Sequence, residues 1–192
     1  MSERQELRRH YRRKRKALKP GIRKLNAEAV AKHFFTSGLG LRAQTIGAYF
    51  AEDAELDLSP LINRLLSANK RLAMPVVRDD GIMEFYRYRR NGRLVLNRYG
   101  IPEPAPGTPF VSPLSIDLLL MPLVAFDRFG VRLGMGAGFY DRFLGRIPEK
   151  LRPLLVGTAH ETQRCKDPLP YEDWDIPLNG IITETGWQPL PN

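Results

Sequence analysis

Cysteine is almost absent from this chain: Cys165 stands alone among 192 residues. A single thiol excludes an intramolecular disulfide and any Cys-cluster metal site, and it fits a reducing compartment. No convincing activator lies near it in sequence, so it reads as an inert thiol. Long apolar runs are lacking too. The longest, 118–126, is nine residues and contains Pro122, far short of the ~20 that a membrane-spanning helix needs. The basic N-terminal stretch has no apolar segment behind it and so is not a secretory signal. Glu3, Glu6 and a shortage of serine argue against a transit peptide. The expected location is the cytoplasm. Histidine is scarce as well, and His10, His33 and His160 are too scattered for a metal centre. Only His160, just beyond an apolar run, stands where α/β sheets carry functional groups. No Ser/His/Asp or Cys/His arrangement for nucleophilic catalysis stands out.

What is present is the balance of an ordinary globular domain, 43% hydrophobic and 27% charged. Sixteen Gly and sixteen Pro are scattered without period, which implies many turns and no repeat. The charge is concentrated. Residues 1–24 hold eleven Lys/Arg against Glu3 and Glu6, and this accounts for the whole net charge of +9. The protein is therefore a neutral body with one basic N-terminal element, whose anionic partner is to be sought nearby.

That element reads as a helix over 3–18, with Ser2 as N-cap, Leu7, Tyr11 and Leu18 on one face, and Pro20-Gly21 as its end. The run Arg12 to Lys16 reads as a solvated cationic face that tolerates substitution. A second helix is expected over 25–36 with Leu25, Ala29, Val30 and Phe34 inward. Strands are expected at 45–50, 72–77, 82–88, 94–96, 116–125, 154–159 and 180–183, with helices near 58–68 and 138–145. Asn91-Gly92 is a turn. The proline-rich stretch 99–113 reads as an irregular surface crossing, and Trp174 and Trp187 as packing residues. Helices alternating with continuous apolar strands predict one domain over 1–192. Its class is α/β, a single-domain three-layer α/β/α sandwich around a mainly parallel sheet, Rossmann-like.

The chemistry is concentrated in 121–144. A central strand leads through Asp127–Gly130 to Arg132, Leu133 and three alternating glycines, Gly134, Gly136 and Gly138, before a helix begins near Phe139. Alternating glycines let backbone N–H groups approach a ligand, and a helix start adds partial positive charge. That is the design of a phosphate cradle, with Arg132 at its mouth as a charged donor. No Gly-Lys-Ser/Thr follows, so it is not a Walker A loop, and the glycine spacing is wrong for a dinucleotide fingerprint.

The segment Arg132-Leu-Gly-Met-Gly-Ala-Gly-Phe-Tyr-Asp-Arg142, preceded by Pro-Leu-Val-Ala-Phe-Asp127, resembles the signature of the 5-formyltetrahydrofolate cyclo-ligase family. Arg4-x-x-Leu7-Arg8, Tyr49-Phe50 with Glu55-Leu-Asp57, Ile101-Pro-Glu-Pro104, Leu169-Pro170 and Trp174-Asp-Ile-Pro-Leu178 extend the likeness over nearly the whole chain. The resemblance implies a magnesium- and ATP-dependent ligase that closes 5-formyltetrahydrofolate to 5,10-methenyltetrahydrofolate. It implies that Arg4 and Arg8 bind ATP phosphates and that Arg132, Leu133, Gly134, Met135, Gly136, Ala137, Gly138, Phe139 and Tyr140 wrap the nucleotide. Met135 to Phe139 also border the folate, Phe50 and Glu55 contact it, and Asp141 and Asp175 hold magnesium. Glu172 and Asp173 are alternatives to Asp175. Arg132 and Tyr140 are the catalytic candidates. Position 4 is Arg where the family often has Lys, and position 137 is Ala where some members have Lys, so Ala137 has no side-chain role. The implied partners are ATP and the folate, with no nucleic acid or membrane, and the chain is expected to be a monomer.

Two readings of other classes compete. The basic first helix suits an RNA-binding protein, but that leaves the glycine segment unexplained. A nucleotide-binding regulatory module has the same cradle without turnover.

Overall fold

The structure, a computed structural model, describes residues 2–190; Met1, Pro191 and Asn192 of the expected domain lie outside the described residues. Among the described residues, five α-helices and twelve strands follow in the order α1 (Glu3–Lys16), α2 (Pro20–Thr36), α3 (Leu39–Arg42), β1 (Thr45–Gly47), α4 (Ser59–Ser67), β2 (Arg71–Val77), β3 (Met83–Tyr88), β4 (Leu94–Leu96), β5 (Pro102–Pro104), β6 (Phe110–Val111), β7 (Leu118–Pro122), β8 (Ala125–Phe126), β9 (Arg132–Leu133), α5 (Phe139–Leu144), β10 (Leu154–Thr158), β11 (Gly180–Thr183) and β12 (Gly186–Pro189).

Eight strands form the main sheet in the order β12-β11-β10-β7-β1-β2-β3-β6. The inner run β11-β10-β7-β1-β2 is parallel, and β12, β3 and β6 are added antiparallel at its flanks. Taken in chain order, the parallel strands lie 2-1-3-4-5. The strand order therefore reverses between β1 and β7, and a doubly wound sheet opens a crevice at the carboxyl ends there.

β7 explains the layering. Its side chains alternate with the period of two that a strand dictates. Leu118 and Leu120 join the core formed with Val30, Phe34, Leu61 and Leu65 of α2 and α4. Leu119 and Met121 join Phe85, Phe143 and Leu144 on the opposite face, under α5. With both faces covered, β7 reads as an unbroken apolar run, and each fully buried leucine contributes about 1.5–3 kcal/mol. The three-layer α/β architecture is as expected. A third, smaller cluster joins Tyr11 of α1 to Leu133, Val124, Cys165 and Leu169, and it docks α1 beyond the end of β7.

Several local expectations are corrected. Ser2 caps α1 in a capping box with Gln5, but Pro20 opens α2 rather than merely ending α1, since a proline at the first helical turn forfeits no bond. Leu25 is 66% exposed and turned away from the core. Only Thr45–Gly47 of the expected strand 45–50 is extended in the sheet. The stretch 99–113 is not irregular throughout: β5 pairs with β4 and β6 joins β3 at the sheet edge. β12 is an addition to the expected strands; there Trp187 lies over Gly180, where an added Cβ would come within 2.0 Å of the indole ring.

Candidate active site

A cavity of about 850 Å3 opens at the crevice between β1 and β7. Its floor is Pro122 and Leu123 at the end of β7, and Glu55 reaches it from the loop after β1. One wall is the loop 134–138 with α5, another is the segment 172–176, and Arg4 and Arg8 of α1 close the third.

The glycine loop is built as its sequence suggests, for three different reasons. Gly136 and Gly138 have φ of +106° and +65°, where a side chain is strained. At Gly138 an added Cβ would also crowd the Arg142 guanidinium, 3.1 Å away. Gly134 has neither constraint: its φ is ordinary and an added Cβ would meet no protein atom within 4 Å. Its open side belongs to the cavity it lines. α5 has only six residues, so its dipole adds little, and the positive charge comes from side chains. Arg8 donates from Nε to the Gly134 carbonyl at 2.9 Å. Arg142 donates to the Ala137 carbonyl at 2.7 Å and stacks on Phe139.

Arg132 is not at the mouth of the loop. It is 6% exposed and donates to the Ile176 carbonyl and to Asp141 Oδ1. The guanidinium thereby latches the segment 172–176 against the start of α5, with one edge on the cavity. Arg4 makes the matching latch from the other side, donating to both Asp175 oxygens at 2.7 and 3.3 Å. Burial pushes the Asp175 carboxyl up, but the Arg4 hydrogen bond and charge outweigh it and hold it below the usual range. Both metal candidates thus line one cavity, each bonded to an arginine. Glu172 and Asp173 line it as well.

Tyr140 also lines the cavity. Burial, then the neighbouring Glu55 charge, raises its phenol well above the usual value. It remains protonated and can donate a hydrogen bond but cannot act as a base. Burial likewise raises the Glu55 carboxyl. One of its oxygens accepts from the Glu52 N–H at 3.1 Å, and the Arg15 guanidinium lies 3.9 Å from the other.

Two expected site residues are elsewhere. Leu133 points into the cluster with Tyr11, because it pairs in β9 and alternation turns its side chain from the cavity. Phe50 packs edge-to-face on Tyr88, ring centres 5.5 Å apart, and is not among the described residues lining the cavity. His160 is buried away from it, with Nδ1 3.0 Å from Asn26; burial first, then the charges of Arg15 and Arg23, lower its pKa to about 4.

The largest correction concerns the basic run of α1. Arg15 is fully buried, donating to the Leu123 carbonyl at 3.2 Å and to Asp53 at 3.0 Å. Arg12 joins Asp53 at 2.8 Å, and Lys16 also pairs with it. Burial pushes the Asp53 carboxyl up, yet the hydrogen bonds from Arg12 and Lys16 and the surrounding charge bring it down to about 2. Asp53 and Ala54 are both left-handed, at φ 49° and 60°, a conformation that costs Ala54 about 1–2 kcal/mol. The face carrying Arg4, Arg8, Arg12 and Arg15 is turned inward to the protein; Arg9 and Arg13 are exposed. Trp174 is corrected in the other direction: it is 69% exposed at the cavity rim and not a packing residue. Residues to which the sequence assigned no site role are Arg15, Asp53, Arg142, Arg152 and Ile176, although Arg142 and Ile176 lie inside the quoted motifs.

Comparison with known proteins gives the family. A model of the 5-formyltetrahydrofolate cyclo-ligase family matches residues 1–184. The Escherichia coli K12 protein of that name is 41% identical over 176 residues, covering 90% of this chain and 95% of its own. The Haemophilus influenzae protein of the same name is 36% identical over 183 residues, covering 88% and 97%. Among solved structures, Aquifex aeolicus 5,10-methenyltetrahydrofolate synthetase superimposes with a TM-score of 0.86 at 32% identity, covering 100% of this chain and 94% of that one. The Mycoplasma pneumoniae synthetase shares the fold, with a TM-score of 0.76 at 23% identity. A family match that runs from the latch arginine of α1 through the glycine loop to the segment carrying Asp175 takes in every wall of the cavity, and the chain belongs to the 5-formyltetrahydrofolate cyclo-ligase family.

Proposed function

We propose that this enzyme converts 5-formyltetrahydrofolate and ATP to 5,10-methenyltetrahydrofolate, ADP and phosphate. The observation that carries the reading is Gly134, a glycine whose added Cβ would meet no described protein atom within 4 Å and which lines a cavity rimmed with arginines. A phosphate chain packed against the backbone there accounts for it.

The chemistry follows from the substrate. A formamide oxygen is a poor nucleophile and hydroxide a poor leaving group. The formyl oxygen takes the γ-phosphoryl group of ATP, releasing ADP. N10 of the folate then attacks the activated formyl carbon and closes a five-membered ring. Loss of the N10 proton and of phosphate, which carries away the formyl oxygen, leaves the methenyl cation. The protein's work is positioning and charge neutralisation. Arg4, Arg8 and Arg132 meet phosphate oxygens, Tyr140 donates to a phosphoryl or formyl oxygen, and Glu55 accepts from N–H groups of the pterin. The scheme uses no covalent nucleophile, and no Ser, Thr, Cys, Lys or His is among the described residues lining the cavity.

The donor set suits a magnesium ion that arrives with the nucleotide. No group of three metal-ligating side chains occurs among the described residues, but an ion sharing its shell with phosphates and water needs only one or two carboxylates. Asp141 and Asp175 would hold it, and it would supply charge neutralisation on the phosphates. The same reading takes the enzyme to be a cytoplasmic monomer acting on small molecules; no described helix is long and apolar enough to cross a membrane.

The test is direct. Protein, ATP, magnesium and 5-formyltetrahydrofolate are mixed, and methenyl absorbance is followed. The expected result is stoichiometric methenyl product and ADP. ATP binding without product would instead assign a regulatory module.

A further inference from the structure

α1 carries more cations than the phosphates of a nucleotide need, and three of them converge on one carboxylate. Asp53 receives Arg12, Arg15 and Lys16 together. Arg15 also bonds the Leu123 carbonyl on the cavity floor. Its guanidinium stands 3.9 Å from Glu55. The loop they grip is unusual in its backbone, with two successive left-handed residues, Asp53 and Ala54, directly before Glu55. The turn closes on itself through the Glu55 N–H to the Glu52 carbonyl at 2.8 Å and the Glu52 N–H to the Glu55 carboxylate at 3.1 Å. Among the described residues, the Glu55 carboxylate accepts from this turn's Glu52 N–H and faces the Arg15 guanidinium.

We propose that Asp53 and Arg15 are positioning residues for the folate half of the reaction: the cationic clamp of α1 on Asp53 holds the left-handed turn that aims Glu55 into the cavity. This rests on the proposed role of Glu55 toward the pterin. The clamp acts on one substrate only. Arg4 and Arg8, which serve the nucleotide, sit about two turns and one turn before Arg12 and bond Asp175 and Gly134 rather than the Asp53 loop.

The experiment measures KM for each substrate in the parent chain and in Asp53→Asn, Arg15→Met and, as an exposed control, Arg13→Gln. Asn tolerates the left-handed backbone, so Asp53→Asn removes the charge and leaves the conformation accessible. Met replaces a buried side chain with an apolar one and leaves Asp53 with Arg12 and Lys16. The expected result is a rise of tenfold or more in KM for 5-formyltetrahydrofolate in both variants. KM for ATP should stay within twofold, and Arg13→Gln should match the parent. A merely structural role would lower the active fraction and the apparent kcat and leave KM for the folate in place, because KM does not depend on how much enzyme is folded. If one variant does not fold, the other decides. If neither does, Arg12→Gln, which removes one partly exposed member of the clamp, is read by the same criterion with a threefold rise expected. A folate KM within twofold of the parent in every folded clamp variant overturns the clamp and leaves the proposed reaction standing. Failure of the parent chain to make methenyl product overturns both.

Discussion

Replacing Arg132 with alanine removes two charge-assisted hydrogen bonds at once, to Asp141 and to the Ile176 carbonyl. Bonds to charged groups are worth about 1.5–3 kcal/mol each. Asp141 keeps 23% exposure on the cavity, so water takes up part of the carboxylate left behind. The loss therefore falls toward the lower part of that range, about 3–5 kcal/mol for the two bonds. For a domain of this size each kcal/mol lowers Tm by roughly 2–4 °C, so the melt should fall by roughly 6–20 °C. The catalytic loss is separate. Deleting one preorganised donor costs on the order of 10²–10³ in kcat/KM, and it must be measured at a temperature where the variant is fully folded. Thermal melting and methenyl formation on the same sample supply both numbers. Arg132→Lys should fall between, because an ammonium keeps the charge but cannot span both acceptors as a planar fork does. A melt within 2 °C of the parent refutes the latch between the 172–176 segment and α5. A kcat/KM within twofold refutes a place for Arg132 in the chemistry.

Gly134→Ala should fold with a stability change within about 0.5 kcal/mol, as expected where an added methyl meets nothing, while KM for ATP rises at least tenfold; an unchanged ATP KM would remove the loop from phosphate binding. Asp141→Asn keeps an acceptor for Arg132 but loses the charge that a hard cation prefers, so the rate should fall steeply and recover in part at high magnesium; a lowered melt with an unchanged magnesium requirement would shift the ligand role to Asp175. Glu55 has its carboxyl raised by burial, so it takes up its proton above the usual carboxylate range. KM for the folate should therefore climb on acidification before an ordinary carboxylate would titrate, and Glu55→Gln should show a high KM without that acid limb; persistence of the limb in the Gln variant would assign it to another group.

The sheet is legible in the sequence where burial is two-sided. β7 announces itself as Leu-Leu-Leu-Met because both faces are covered. β12 gives no such sign: Gly186-Trp-Gln-Pro189 is half exposed and bounded by residues that usually break strands. β5 is hidden by its own prolines, which the pair tolerates because Ala105 N–H donates to Arg93 and Asn97 N–H to Ile101, so Pro102 and Pro104 fall at the alternate positions, where no ladder N–H is needed. In the site, the glycine loop is readable because its spacing is local. Arg15 is not, although a pattern hints at it. Arg4, Arg8, Arg12 and Arg15 recur at helical spacing and so share one face. That this face is internal depends on Asp53, 38 positions away, and no local pattern carries such a pairing. Leu133 misleads for the opposite reason. It belongs to the motif as a neighbour of Arg132 and Gly134, but strand alternation sends neighbouring side chains to opposite sides.

The pair Arg4–Asp175 joins positions 171 apart. A chain made from its N-terminus at about 5–20 residues per second leaves α1 waiting roughly 10–30 s before this partner emerges. During that interval the helix holds its cations and the apolar face of Leu7 and Tyr11 without a complete dock. Much of the parallel sheet can form meanwhile, but the cavity cannot, since α1 and the segment 172–176 each supply a wall. Competence to bind the nucleotide therefore arrives only after that late segment has been made. Ending the chain before residue 172 should abolish the cavity altogether rather than weaken it by degrees.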